Sequence, residues 1–213
     1  MRGDVEVLLV RHGETLWNRG GRFQGRLDSP LTGRGVAQAR AVGRLLRELL
    51  GRGLPGWRLV SSPLPRAWQT AVLLAEEAGC DPEAVALDPR VVEISWGRWD
   101  GLRAEEIAAR DPELWRRRLE DAFAEAPPNG GESRAAIWER ARCWLAALEP
   151  GARVVLVSHG TFGRALRCAH LGLHHREMLR MEAPHDRIYR LWPGGVQELV
   201  TLRRARPRGE TAR

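Results

Sequence analysis

The chain has 213 residues, 43% of them hydrophobic and 29% charged, with a formal net charge of +7. At roughly 100–200 residues per domain this is one large domain, and no apolar run approaches the roughly 18 residues of a membrane span. All 34 basic residues are Arg, a side chain suited to bidentate contact with phosphate. Such a surface suits a nucleic acid, a membrane or a small anionic substrate, and composition does not choose among them. Cys80, Cys143 and Cys168 have no metal spacing and read as reduced thiols of a cytoplasmic protein. Residues 1–10 carry Asp4 and Glu6 in a short apolar run and do not look like a signal peptide.

In chain order, residues 5–10 (VEVLLV) predict a buried strand that runs into Arg11-His12-Gly13-Glu14. A polar loop over residues 18–29 follows, then a helix from Pro30-Leu31-Thr32 to Leu50 with Thr32 as N-cap. Residues 57–60 predict a second strand, leading into Ser61-Ser62-Pro63. Residues 65–78 predict a helix with Pro65 in its first turn and Gly79 at its end. A short strand is expected at 85–87. Residues 93–132 break the alternation with an irregular loop (Trp96, Gly97, Trp99, Gly101) and two helical pieces at 104–110 and 112–126. This stretch reads as an insertion, a cap over the site. Residues 133–148 predict an amphipathic helix. Residues 153–157 (RVVLV) predict the clearest buried strand, running into Ser158-His159-Gly160 and a helix to Leu171. Residues 188–192 and 196–202 flank Pro193-Gly194-Gly195 and predict a hairpin. Residues 1–202 are thus expected to form one domain, and the Arg-rich segment 203–213 a disordered tail. The alternation of strands and helices argues for an α/β sandwich on a mostly parallel sheet.

Sites in such sheets form at the carboxyl ends of strands. Here three strand ends carry unusual polar residues: Arg11-His12-Gly13, Ser61-Ser62-Pro63 with Arg66 just beyond, and Ser158-His159-Gly160. Each alone has an ordinary reading, a capped histidine or a solvated arginine. Together on one rim, two imidazoles, two guanidiniums and a helix N-terminus make a pocket for a phosphoryl group.

Residues 11–15 (RHGET), Trp17-Asn18, Gly21-Arg22, Gln24-Gly25, residues 28–32 (DSPLT) and Gly35 resemble the opening signature of the histidine phosphatase (phosphoglycerate mutase-like) superfamily. Ser61-Ser62-Pro63 with Arg66, residues 69–71 (QTA), Glu93, residues 130–133 (GGES) and Val157-Ser158-His159-Gly160 continue the match in order, over about residues 5–171. The resemblance implies a three-layer α/β/α fold on a mixed sheet with the cap over the active site. It implies His12 as the nucleophile that forms a phosphohistidine. Arg11, Arg66 and His159 would hold the phosphoryl oxygens, and Glu93 would be the proton donor and then the base. Asn18, Gln24, Gly25 and the backbone at Gly160 would line the phosphate pocket. Nearby cations favour the neutral imidazole that attack requires. A carboxylate donor must be protonated, which calls for a desolvated Glu93, and Trp96 and Trp99 stand near enough in sequence to supply that environment.

The superfamily holds phosphatases and mutases. Residues 93–101 (EISWGRWDG) look like the short form of the phosphatase branch, so a metal-independent phosphomonoesterase without a cofactor is expected, with a cofactor-dependent phosphoglycerate mutase as the alternative. The substrate would be a small phosphorylated metabolite of the α-ribazole phosphate, sugar phosphate or phosphoglycerate type. Arg98, Arg103 and Arg116 to Arg118 are candidates for its non-reacting end, though an Arg run also reads as a solvated helix face. Two further readings are a metal site at His170, His174, His175 and His185, and a nucleic-acid-binding protein. The first lacks a ligand pattern and the second lacks a binding motif. Neither nucleic acid nor membrane is expected as a partner; a homodimer is left open.

Overall fold

The computed structural model describes residues 4–200; the expected basic tail, 203–213, lies outside the described residues. Strand β1 (Glu6–Arg11) is followed by a one-turn helix α1 (Leu16–Arg19), helix α2 (Gly33–Leu50), strand β2 (Arg58–Ser61) and helix α3 (Pro65–Ala78). Strand β3 is only Ala86–Leu87. Helices α4 (Ala104–Arg110), α5 (Pro112–Glu120) and α6 (Arg134–Ala146) precede strand β4 (Arg153–Ser158) and helix α7 (Gly160–His170). The hairpin β5 (Arg187–Trp192) and β6 (Gly195–Val200) completes the described chain.

The strands form one six-stranded sheet in the order β3-β2-β4-β1-β5-β6. The first four are parallel and the hairpin antiparallel. Alternate strand residues point to opposite faces, and both faces are apolar. Val7, Leu9, Val154 and Leu156 pack on Ile137 and Trp144 of α6 and Phe162 and Leu166 of α7. Leu8, Val10, Val155 and Val157 pack on Val42 and Leu46 of α2 and Ala71 and Leu74 of α3. This gives the expected three layers. The cap segment adds Trp96, Trp99, Ile107 and Phe123 to the α6–α7 side of the same core.

Local chemistry moved several boundaries. Thr15 and Asn18 form a reciprocal capping box, which winds α1 where a loop is expected. The helix expected over 112–126 stops at Glu120. The Asp121 carboxylate accepts from the N–H groups of Phe123 and Ala124 at 3.1 Å, offering the backbone an alternative to helical bonds. Helix α6 starts at Arg134 because the Ser133 hydroxyl accepts from the Ala136 N–H. Thr32 caps α2 as expected, accepting from Gly35.

Candidate active site

The sheet register assembles the site. Arg11 lies opposite Ser158, and Val157 opposite Ser61. The ladder continues one step further: His12 N–H donates to the Ser158 carbonyl at 2.9 Å and Ser62 N–H to Val157 at 3.0 Å. His12, Ser62 and His159 therefore leave the sheet at the same level. The His12 and His159 ring centroids are 5.2 Å apart, and both residues are buried.

His12 is held by its own loop. Its Nδ1 lies 2.8 Å from the Gly13 carbonyl, which accepts a proton there and leaves Nε2 with its lone pair. The loop is anchored by Thr70, whose hydroxyl accepts from Gly13 N–H at 3.0 Å, and by Gln38, whose side chain accepts from Glu14 N–H at 2.9 Å. It lies so close to α2 that a Cβ on Gly13 would sit 2.3 Å from the Gly35 carbonyl oxygen, and one on Gly35 would sit 2.1 Å from that of Glu14. Glycine at both positions is a packing requirement.

Arg66 is 1% exposed and is clamped by the loop after α1. Its Nη2 donates to the Gly25 carbonyl at 2.8 Å, and its Nη1 to the Leu27 carbonyl at 2.7 Å and the Asp28 carboxylate at 3.1 Å. Arg11 Nη1 donates to the Ala183 carbonyl. His159 Nε2 lies 2.7 Å from the Ser62 hydroxyl. That hydroxyl also accepts from Leu64 N–H at 3.3 Å, which fixes it against the ring. After these bonds, Nε of Arg11, Nε of Arg66 and Nδ1 of His159 are buried with no protein partner. Buried polar atoms without partners are rare in folded proteins; here all three belong to residues within electrostatic reach of the His12 imidazole.

Glu93 is placed from three sides. Ser158 Oγ donates to the Val91 carbonyl at 2.7 Å, and Arg140 Nη1 donates to the carbonyls of Arg90 and Val92 at 2.8 Å. The carboxylate then reaches the start of α7. Oε2 accepts from Thr161 N–H at 3.0 Å, and Oε1 from Phe162 N–H at 3.2 Å and Ile94 N–H at 2.9 Å. Two N–H groups of the α7 N-terminus, those of Thr161 and Phe162, thus serve Glu93 and not a ligand, whereas the backbone position expected to line the pocket is Gly160. The two tryptophans near Glu93 in sequence are packed side chains. Trp96 stacks on Phe23 with centroids 4.2 Å apart, and Trp99 Nε1 donates to Asp111 at 2.6 Å with its ring edge-on to Trp115. They pack the cap, and the hydrogen bonds of Glu93 come from the backbone N–H groups of Ile94, Thr161 and Phe162.

The remaining candidates fall on the α1–α2 side. Gln24 is buried with Oε1 unpartnered. Gly25 has φ +54, and a Cβ there would fall 1.6 Å from the Asp100 carboxylate. Asn18 spends its side-chain oxygen on the capping box. Of the cap arginines, Arg98 pairs with Asp111, Arg103 donates to the Gly20 carbonyl, Arg116 pairs with Glu113 and Glu120, and Arg117 pairs with Glu125. Arg118 alone of the run is buried.

His185 belongs to this site and was not among the sequence candidates for it. Its Nδ1 lies 2.6 Å from the His12 carbonyl, and its ring is 5.5 Å from that of His12. No local pattern marks it, because 173 residues separate the partners. Ser62 and Thr70 stood inside quoted motifs, but their orienting roles need the fold. His170 instead bridges the carbonyls of Trp192 and Gly195, and His175 stacks on Phe123. Among the described residues no group of His, Cys, Asp and Glu could hold a metal ion.

Burial, reinforced by His159, Arg66, Arg11 and His185, holds the His12 imidazole well below its ordinary pKa. Burial and the guanidiniums of Arg66, Arg11 and Arg140 do the same to His159. Burial and Arg11 bring His185 down to about 4. All three are neutral in the folded protein at pH 7, whereas in the unfolded chain they bind protons near pH 6.5. The unfolded state therefore gains protons first on acidification, and folding stability falls as pH drops from about 6.5 toward 4. Denaturant midpoints measured across that window are expected to decline, and less so for His185→Asn; a flat profile would refute the burial of neutral imidazoles.

Comparison with known proteins places this arrangement. The profile of the histidine phosphatase superfamily (branch 1) matches residues 7–202. The chain is 37% identical over 173 residues to phosphoserine phosphatase 1 of Hydrogenobacter thermophilus, covering 79% of this chain and 77% of that protein. It is also 37% identical over 172 residues to the probable phosphoglycerate mutase GpmB of Salmonella paratyphi C, covering 79% and 76%. The solved structure of mycobacterial glucosyl-3-phosphoglycerate phosphatase superposes with a TM-score of 0.70 at 32% identity, over 93% of this chain and 98% of that one. With residues 7–202 matched and the strand ends arranged as described, the chain belongs to the histidine phosphatase superfamily.

Proposed function

We propose that this protein is a phosphomonoesterase that hydrolyses a small phosphorylated metabolite through a phosphohistidine at His12. The observation that carries this is the set of unpartnered buried nitrogens on Arg11, Arg66 and His159, residues that all bear on a neutral imidazole. Unpaired polar groups on three residues around His12 would suit the equatorial oxygens of a transferring phosphoryl group, whose charge they would stabilise in the transition state. His12 Nε2 attacks phosphorus as the bond to the leaving oxygen breaks. Glu93 gives that oxygen a proton, for which Oε2 keeps a lone pair beyond its bond to Thr161. In the second step Glu93 takes a proton from water, which attacks the phosphohistidine and releases phosphate. Gln24, the Gly160 N–H and the Asn18 amide would complete the phosphate pocket.

The site needs no metal in this scheme, because guanidiniums supply the positive charge. The named relatives support substrates of the phosphoglycerate, phosphoserine or sugar phosphate type, and α-ribazole phosphate remains in the class. A cytoplasmic enzyme acting on such metabolites, without nucleic acid, fits the cysteine usage and the site. The mutase-named relative favours a second reading, phosphoglycerate mutase; the unextended segment after Glu93 speaks for hydrolysis.

The purified protein is expected to release phosphate from members of a phosphomonoester panel, with activity undiminished by EDTA. Phosphoglycerate isomerisation without phosphate release would instead establish the mutase. Loss of activity on chelation, restored by a divalent cation, would refute the metal-free scheme.

A further inference from the structure

Helix α7 keeps a buried charge that the chemistry of the site does not use. Gly160, Gly163 and Arg167 stand at i, i+3 and i+7, so they share one face of α7. That face meets β1: a Cβ on Gly160 would sit 3.3 Å from the Arg11 guanidinium, and one on Gly163 would sit 3.3 Å from the Leu9 side chain. At Arg167 the same face carries a long side chain. Arg167 is 8% exposed, and its guanidinium lies 3.8 Å from the centroid of the Tyr189 ring on β5. Burial draws its pKa down from the ordinary guanidinium value, the mark of a charge that is costly to keep there. A Leu or Met would cover Tyr189 without that cost. What the guanidinium adds is a donor, and its Nη2 donates to the Glu182 carbonyl.

Glu182 opens a strap, residues 182–185, that is neither helix nor strand. The next carbonyl along it, that of Ala183, accepts from Arg11 Nη1. Two residues further, His185 Nδ1 lies 2.6 Å from the His12 carbonyl. Pro184 between them disfavours a helical turn at Ala183. The strap thus supports the proposed nucleophile and one of the guanidiniums beside it, and on its α7 side Arg167 holds the strap. Arg11, His159, Arg167, Ala183 and Pro184 line one cavity of about 10 Å³, the room of a single water. The strap therefore has little space to shift without carrying Arg11 with it.

We propose that Arg167 is a positioning residue for phosphoryl transfer: by holding the Glu182 carbonyl it fixes the strap that keeps Arg11 and the His12 loop in place. The proposal rests on the phosphomonoesterase reading, because it needs Arg11 and His12 at the reacting group. Arg167 touches no substrate. Its effect falls on the transition state, where Arg11 must meet an oxygen whose charge is developing. Arg66 and His159 are held from other segments, by the Gly25 and Leu27 carbonyls and by Ser62. They would still bind the phosphoryl group in the ground state, so loss of the tether is expressed in kcat more than in KM.

Arg167→Met keeps the apolar stem over Tyr189 and removes the donor. In the full-length enzyme acting on p-nitrophenyl phosphate, kcat is expected to fall by about 10- to 100-fold, the scale of a displacement of about 1 Å at the reacting groups. KM is expected to change by less than about threefold, because a transition-state interaction is what is lost. A double-mutant cycle reads the route. In an Arg11→Met background the further loss from Arg167→Met is expected to shrink to less than about threefold, because both substitutions break one chain of contacts. Pro184→Gly loosens the strap without touching the buried charge and is expected to lower kcat in the same direction, which keeps the test decisive if Arg167→Met does not fold. A folded Arg167→Met enzyme with the parent's kcat, a loss confined to KM, losses that multiply fully in the double variant, or an unchanged kcat in Pro184→Gly would overturn the positioning role. If the parent turns over p-nitrophenyl phosphate and one of these results is found, only the positioning role fails. If the parent turns over no phosphomonoester, the hydrolase reading fails and the positioning role with it.

Discussion

His12→Ala is expected to lower turnover by about 10⁴-fold or more, the scale seen when a covalent nucleophile is removed, and to abolish transfer of labelled phosphate to the protein. The surrounding donors would still bind the phosphoryl group, so a slowly hydrolysed substrate should still protect the variant against thermal unfolding. Rapid quench with a ³²P-labelled substrate, in acid-free conditions that preserve phosphohistidine, reads the covalent step directly. The depressed proton affinity of His12 adds a second expectation. Burial and the neighbouring cations keep this imidazole neutral below the ordinary histidine range, so kcat/KM should show no loss on the acid side that follows an unperturbed imidazole near pH 6.5. A variant that keeps its activity, or labelling that persists at another residue, would remove His12 from the chemistry.

Glu93→Gln has the second largest expected effect, a fall in kcat of about 10²–10⁴-fold. The amide keeps the shape, but it places a donor where the carboxylate accepts from Thr161 or Phe162. A stability loss of about 1–3 kcal/mol should accompany the catalytic one, because a buried N–H loses its acceptor. Structural damage and lost proton transfer separate by leaving group. An alkyl phosphate needs its leaving oxygen protonated, whereas p-nitrophenolate leaves readily without it. The defect should therefore be larger by at least about tenfold for the alkyl ester. Equal defects would mean that Glu93 supports the α7 N-terminus and does not move the proton.

The rim residues were legible in the sequence because each is local to a strand end. Residues 5–10 and 153–157 are apolar runs with the length and β-branching of buried strands, and the polar residues just after them must leave the sheet at its carboxyl edge. Thr32 before α2 and Gly79 after α3 were equally plain, since caps are decided by neighbouring backbone. The ordered motifs carried the family resemblance, and the profile match over residues 7–202 bears it out.

Other features depend on chain segments that sequence separation hides. His185 meets His12 only because β5 returns antiparallel to β1, and no spacing rule reaches across 173 residues. The hydrogen bonds of Glu93 are hidden for the same reason: Ile94 beside it supplies one, but the others come from Thr161 and Phe162 at the start of α7. In Arg116-Arg117-Arg118 the helical turn puts two guanidiniums in solvent beside carboxylates and the third on Trp96. Composition treats the three alike. Strands, their polar ends and the family are thus written in local residue patterns. Which buried polar atoms remain without a protein partner emerges from the packed fold alone, because a hydrogen bond is satisfied or left open by whichever distant segment packs against it.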